Sequence, residues 1–353
     1  MKILFIIYGS INQISGGYIY DKIVIDFLKA KGNTVDILEL KKIPYLFSPV
    51  QVFNHRLMKL FLSRRKKIFY DRIIIDELTH PSVFLSVAFK RKNTPPVITL
   101  VHLLKYSEPI FSFLRIIALF IEKILLNCSD LIIVNSLSTA QIVKKTVRSK
   151  IPVQICKPGK NTFDEVKNHA SRTKADEAFN KPVLLFVTAN VIPRKGYDLL
   201  ILALSKLLDL NWKLKIAGNE AVDKHYKKKI DKLILKSGMS DRVTFTGVLY
   251  GRTLARAYHE CDIFVYPTRF EAYGISLAEA ASFGLPYVAF RCGAIEEVVQ
   301  KKGLLAGSGD VAGFRRHLRK LISDPEFRRN MADLSLEVSR SLPTWEETVE
   351  CFG

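Results

Sequence analysis

The chain has little cysteine and no cysteine pattern. Cys128, Cys156, Cys261, Cys292 and Cys351 are five among 353 residues, scattered, odd in number and nowhere spaced C-x-x-C, which fits a reduced, cytoplasmic protein. No Asp-x-Asp pair and no His/Cys cluster at ligand spacing occurs, so no metal is expected as a requirement. Long apolar runs are missing too. Residues 109–126 form the most apolar long segment, and Arg115, Glu122 and Lys123 break it, against a transmembrane helix. The apolar run at residues 3–8 is too short for a cleavable signal and reads as a first strand. Nothing resembles an RNA-binding signature or a helix-turn-helix, so nucleic acid is not expected as a partner. Acidic residues are the scarcer charge, 34 against 54 Lys and Arg, for a formal net charge of +20. About +16 of this excess falls up to residue 175 and about +4 beyond it. A first half so basic suits an anionic membrane or a phosphate-bearing acceptor; a solvated basic surface is the plain alternative.

What is present is globular. The chain is 48% hydrophobic and 25% charged, and 353 residues suffice for two α/β domains, each with its own core. Residues 270–297, FEAYGISLAEAASFGLPYVAFRCGAIEE, organise the reading. They follow an apolar run, Asp262-Ile-Phe-Val-Tyr-Pro267, of strand length, and contain an Ala-rich segment between Gly274 and Gly284-Leu-Pro286. Strand, loop, helix, turn and strand is the implied order. Glu271 then lies in the loop and Glu279 in the first helical turn, with the backbone N–H groups of residues 273–277 free at the helix start. Such a start is an anion site, and two flanking carboxylates suit hydroxyl-rich groups beside a phosphate, as in a nucleotide-sugar. The spacing Ser276-x-x-Glu279 equally fits a capping box.

Glu271, followed after seven residues by Glu279, then Gly284-Leu-Pro286 and Gly293-Ala-Ile-x-Glu297, resembles the signature of the retaining glycosyltransferases of family 4. The resemblance implies the GT-B fold: α/β, two Rossmann-like domains facing a central cleft, with a C-terminal helix returning to the first domain. It implies a nucleoside-diphosphate-sugar donor held by the second domain and no required metal or other cofactor. Glu271 would lie beside the donor sugar near the reacting centre and Glu279 on the ribose hydroxyls, while the amides of Tyr273, Gly274 and Ile275 would face the sugar and pyrophosphate. The implied division is an acceptor-binding domain over 1–165, a linker over 166–181, a donor-binding domain over 182–340 and a terminal helix over 341–353.

In chain order, residues 2–8, the Gly9 and Ser15-Gly16-Gly17 loop, a helix over 19–30 and a strand over 35–40 make a βαβ opening without G-x-G-x-x-G. By resemblance Gly16 and Gly17 face the cleft near the donor; a tight turn is the plain reading. Residues 52–70 mix apolar residues with Arg56, Lys59, Arg64, Arg65, Lys66 and Lys67. Read as a helix, they place Phe53, Leu57, Leu60 and Phe61 on one side and suit a membrane surface or an acceptor phosphate; a solvated face fits as well. Strands 71–75 and 97–101 end at His80 and His102, where doubly wound domains place ligands. The resemblance favours His102, as a contact to the donor sugar, while His80 shapes its loop. A helix over 110–126, a strand entering Ser136 and a strand over 153–156 complete the domain. In the second half, residues 183–187 lead to Thr188-Ala-Asn190-Val-Ile-Pro-Arg194-Lys195-Gly196. By resemblance Lys195 binds the diphosphate; Asn190 stands where the family usually has Arg, and Arg194 could supply that charge.

With these residues, the resemblance implies a hexosyltransferase-type enzyme that moves sugar with retention from a nucleotide-sugar, and the basic, apolar-rich first half suggests a glycan or lipid-linked cell-envelope acceptor. It would be cytoplasmic, with peripheral attachment at the inner membrane face through its basic first half. Another GT-B-type enzyme, either an inverting transferase or a sugar-nucleotide epimerase, and a non-catalytic relative binding membrane or polyanion are the alternatives.

Overall fold

Short apolar runs bounded by glycine or charged turns become parallel strands buried on both faces. The computed structural model describes residues 1–13, 15–62, 69–108, 112–160, 162–163 and 181–352. It divides into two units: residues 1–158 with 345–353, and residues 159–344.

The first unit contains β1 (Lys2–Tyr8), β2 (Thr34–Leu40), β3 (Arg72–Asp76), β4 (Val97–Val101), β5 (Leu131–Val134) and β6 (Val153–Ile155), in the order β2-β1-β3-β4-β5-β6. Every pairing is parallel, with Phe5 opposite Ile37 and Ile74. Alternate residues serve opposite faces. Phe5, Ile74, Leu100 and Ile133 pack with Tyr20, Val24 and Leu28 of the Gly16–Ala30 helix and with Trp345, Val349 and Phe352 near the end of the chain. Ile6, Ile73 and Ile75 pack with Val83 and Val87 of the His80–Ala88 helix and with Ile121 and Leu125 of the Ser112–Asn127 helix.

The helix expected from residue 52 is not continuous over residues 52–62. The 3-10 segment Tyr45–Phe53 ends at Asn54, whose backbone is extended at ψ 122°, and a three-residue α-turn at His55–Leu57 and a π-turn at Met58–Leu62 follow. Leu57, Leu60 and Phe61 are buried as expected, but Phe53 is 75% exposed. Arg64, Arg65, Lys66 and Lys67, and nearly all of the expected linker, lie outside the described residues.

The second unit contains β7 (Val183–Thr188), β8 (Trp212–Ala217), β9 (Val243–Phe245), β10 (Ile263–Tyr266), β11 (Tyr287–Phe290) and β12 (Leu304–Ala306), again all parallel, in the order β12-β11-β10-β7-β8-β9. Strand order reverses where β10 meets β7, with Phe264 opposite Phe186. Leu185, Val187, Leu214, Ile216, Val265 and Val288 face one helical layer, and Phe186, Phe264, Tyr266 and Ala289 face the other.

Candidate functional site

Ligands of doubly wound sheets bind beyond the carboxyl ends of the strands that flank the order reversal. In the second unit these strands are β7 and β10, and the segments that follow them carry Arg194, Lys195 and Glu271. Gly196 draws the two segments together. It has φ +69°, and a Cβ there would lie 1.9 Å from the Pro267 carbonyl oxygen, so only glycine fits. Arg269 fastens the same junction: its guanidinium donates to both Asp198 oxygens at 2.9 Å and to the Pro193 carbonyl at 2.6 Å.

Glu271 is the centre of the resulting group. Its Oε2 accepts from Lys195 Nζ at 2.5 Å and from the Tyr266 hydroxyl at 2.7 Å, and Arg194 lies 3.8 Å away while donating to the Phe270 carbonyl. Burial would raise the Glu271 carboxyl, but Lys195 and Arg194, with the hydrogen bonds from Lys195 and Tyr266, outweigh it and hold it at about 2. The pairing does not help Lys195 equally. Burial, together with Arg194, outweighs Glu271 and lowers the ammonium below its ordinary range. Gly293 closes the far side of the loop: a Cβ there would meet the Glu271 carbonyl oxygen at 1.8 Å, and Ala294 N–H donates to that same oxygen at 3.0 Å.

Three residues after Glu271 the chain enters the Ile275–Ser282 helix, with Gly274 as N-cap at φ +106°. No side chain caps this helix, so the capping-box alternative for Ser276 and Glu279 is not realised. Leu277 N–H already donates to the Gly274 carbonyl. The N–H groups of Gly274, Ile275 and Ser276 have no carbonyl partner among the described residues, which leaves three donors at the positive end of the helix. Glu279 is the fifth helical residue, past the first turn where it was expected. It is buried and accepts from the Tyr258 hydroxyl at 2.8 Å. Tyr273 puts its ring into the core. Asn190 lies in the turn after β7, where its carbonyl accepts from Ile192 N–H, and its side chain makes no hydrogen bond among the described residues.

The first unit gathers a second group. Its strand order reverses between β1 and β3. Gly16 and Gly17 open the helix that follows β1, and Gly17 abuts His102, whose Cδ2 would lie 3.1 Å from a Cβ. His102 Nε2 is 2.8 Å from Asp21 Oδ1 on the same helix, and Asp76 at the end of β3 completes a buried cluster. Burial pushes the Asp76 carboxyl up to about 8, aided by the charge of Asp21. For His102, burial favours the neutral ring, but Asp21 and Asp76 outweigh it and raise its pKa.

His80 belongs to a separate cluster with Glu77 and Glu122. Its Nδ1 is 2.9 Å from the Glu77 carbonyl and its Nε2 2.9 Å from the Tyr45 hydroxyl, so both ring nitrogens are occupied. Burial lowers it to about 3, which keeps it neutral. Glu122 accepts from the N–H groups of Lys105 and Tyr106, and Glu77 from that of Leu103, anchoring the segment after His102. In each cluster three ligand-type atoms lie within 4.8 Å of one another, a spacing a metal ion could bridge. At His80 this would break hydrogen bonds already made.

Sequence reasoning thus brought Arg194, Lys195 and Glu271 together but missed Tyr266, Tyr258, Arg269, Asp21 and Asp76. One signal was available. Asp21 sits between Tyr20 and Val24 on the buried face of an amphipathic helix, where a charge needs a partner.

Residues 169–335 match the family model described as glycosyl transferases group 1. An uncharacterized glycosyltransferase of Methanocaldococcus jannaschii is 29% identical over 238 residues, 64% of each chain. Among solved structures, a sucrose-phosphate synthase from Thermosynechococcus elongatus superposes with a TM-score of 0.81 at 20% identity, over 100% of this chain and 97% of that one. An Anabaena protein in complex with UDP and glucose superposes with a TM-score of 0.74 at 17% identity, over 100% and 98%. The chain spans 21%, 64% and 52% of the length of the first three curated relatives it matches. The whole-chain likenesses show the GT-B fold.

Proposed function

We propose that the chain, whose residues 169–335 match the model of the glycosyl transferases group 1, belongs to that family and is a retaining, hexosyltransferase-type enzyme using a nucleoside-diphosphate-sugar. The observation that carries this reading is the meeting of Lys195, Arg194 and Glu271 with the uncapped helix start at Gly274, at the strand-order reversal of the second sheet. A diphosphate set against the amides of Gly274, Ile275 and Ser276 takes over Lys195 and Arg194, and Glu271, released from them, accepts from the sugar hydroxyls. Glu279, held by Tyr258, accepts from the ribose. Departure of the nucleoside diphosphate builds negative charge where fixed donors already stand. These cations do the work a divalent ion would do, so no metal is required. Asn190 offers neutral hydrogen bonds. His102, with Gly16 and Gly17 beside it, polarises the donor sugar, and same-face attack with the leaving phosphate as base gives retention. The Anabaena complex with UDP and glucose supports this choice of donor class.

The acceptor we propose is a glycan or lipid-linked precursor of the cell envelope, reached by peripheral attachment to the inner membrane face. Two observations of the first unit support it. Phe47, Val50 and Phe53 on the 3-10 segment and Phe113, Ile116 and Phe120 on the Ser112–Asn127 helix are exposed, and both segments pack against the His80–Ala88 helix. Arg56 and Lys59 are exposed on the two turns that follow the 3-10 segment, and Arg115 and Lys123 on the Ser112–Asn127 helix, the mixture that binds anionic interfaces. No helix of the described residues is long and apolar enough to cross a membrane.

The testing experiment is a thermal-shift screen against UDP, GDP, ADP, dTDP and CMP, with and without EDTA. Stabilisation by one diphosphate that survives EDTA is expected. Stabilisation by none would turn the reading toward a non-catalytic relative. Phosphatidylglycerol vesicles should bind the protein in low salt but not in high salt, and no binding would remove the membrane part of the proposal.

A further inference from the structure

Asp21, Asp76 and His102 come from a helix, a strand end and a strand end, and all three are buried. Asp21 Oδ1 is taken by His102 Nε2 and Asp76 Oδ1 by the Leu78 N–H at 2.9 Å. The other oxygen of each acid, Asp21 Oδ2 and Asp76 Oδ2, is buried with no hydrogen-bond partner among the described residues. Two ionised carboxylates are acceptors only and cannot satisfy each other, whereas a single proton between them turns both orphaned oxygens into one hydrogen bond.

We propose that Asp76 carries this proton and donates it to Asp21, so that Asp21 remains the charged partner that accepts from His102 Nε2–H. Asp21 and Asp76 are then positioning residues. They fix the His102 ring with its proton on Nε2 and leave Nδ1 as the one ring nitrogen available to a ligand. The assignment follows from the geometry: Asp21 is hydrogen-bonded to the imidazole, whereas Asp76 is hydrogen-bonded to a backbone amide and has a carboxylate oxygen within 4.8 Å of Asp21. It also agrees with the raised Asp76 carboxyl, and with Asp21 having the larger of the two acids' effects on the His102 ring. The groups influencing these three are the Tyr18 phenol on the helix of Asp21 and Glu77 beside Asp76; the Tyr20 ring meets His102 edge-on at 5.3 Å, and Asn135 donates to the His102 carbonyl. The catalytic consequence rests on the role proposed above for His102. The placement of the proton does not.

The test is nuclear magnetic resonance of the full chain with ring-labelled histidine, with His102 assigned by the signal lost in H102Q. The wild-type ring should show the Nε2–H tautomer and titrate above the ordinary 6.5. D21N should lower that midpoint by about one pH unit or more. D76N supplies a side-chain amide that donates to Asp21 as the protonated acid does, so it should leave the midpoint within about 0.3 of a unit of wild type. If D76N lowers the midpoint as far as D21N, Asp76 is the charged partner and the proposal is wrong. A divalent metal found at one per wild-type chain by elemental analysis and lost in D21N would also overturn it. Should D21N fail to fold, the wild-type tautomer and D76N decide alone. With the donor identified by the nucleotide screen, D21N should lower kcat tenfold or more, an estimate of about that order, at unchanged KM. Unchanged kcat with the expected spectra would sink the role given to His102 and leave the proton where it is placed.

Discussion

Replacing Glu271 by glutamine probes the proposed donor site most directly. The side chains of Glu271 and Lys195 are 13% and 14% exposed, and their charged atoms are 2.5 Å apart. The Glu271 carboxyl lies at about 2 against an ordinary 4.5, a difference worth about 3 kcal/mol at neutral pH. The folded value is the lower one. That contribution is therefore complete above about pH 4.5 and disappears as pH falls toward 2. Lys195 works the other way, because its lowered pKa means that the buried ammonium costs stability at neutral pH. Glu271→Gln should then destabilise the second unit by about 2–4 kcal/mol, since it leaves Lys195 and Arg194 without their carboxylate. The double variant E271Q/K195M, which removes both buried charges, should recover at least about half of that loss.

Urea unfolding read by Trp212, buried in the core of the second unit, can follow this in a W345F background that silences the chain's second tryptophan. Below about pH 4.5 the wild-type curve should fall toward that of E271Q. Pyrophosphate should raise the E271Q midpoint more than that of wild type, because it need not displace a carboxylate. An E271Q protein within about 0.5 kcal/mol of wild type, or a double variant no better than the single one, would refute the electrostatic account of this site.

Gly293→Ala forces a side chain into φ +51° with its Cβ 1.8 Å from the Glu271 carbonyl oxygen; a loss of about 2–4 kcal/mol should appear in the same unfolding assay, with weakened nucleotide binding. Arg269→Ala removes the two bonds to Asp198 and the one to Pro193, so calorimetry should show nucleoside-diphosphate affinity falling about tenfold as the segment carrying Lys195 loosens. Glu279→Ala should reduce nucleoside-diphosphate affinity at least as much without unfolding the unit, and an unchanged dissociation constant would defeat the ribose assignment.

The sequence made the sheets legible because parallel strands buried on both faces appear as nearly continuous apolar runs, as at Ile73–Ile75 and, apart from Thr99, at Val97–Val101. The loop-to-helix passage at Gly274 was legible for a local reason: strand, glycine and helix are neighbours in the chain. Residues 52–62 were not, because an apolar, basic composition suits an amphipathic helix, whereas the extended backbone at Asn54 that interrupts it depends on where each side chain finds a partner. The Asp21, Asp76 and His102 cluster was invisible for another reason. Its members lie 55 and 26 positions apart along the chain, and only the order reversal of the sheet brings them together. Tyr258 and Tyr266 were legible as core residues, but that their hydroxyls hold Glu279 and Glu271 depends on packing alone.

Trp345, Val349 and Phe352 complete the core under β1, although the whole second unit, residues 159–344, is inserted between them and the rest of the first. During synthesis the first sheet therefore leaves the ribosome with one face covered by the Gly16–Ala30 helix but lacking Trp345, Val349 and Phe352, and stays so until translation passes residue 352. At ordinary elongation rates of about 5–20 residues per second, the second unit has roughly ten seconds or more in which it can fold while the first waits. A stop codon placed between the units should accordingly yield an aggregation-prone, chaperone-bound product instead of a free-standing domain, even though the missing piece is only nine residues long.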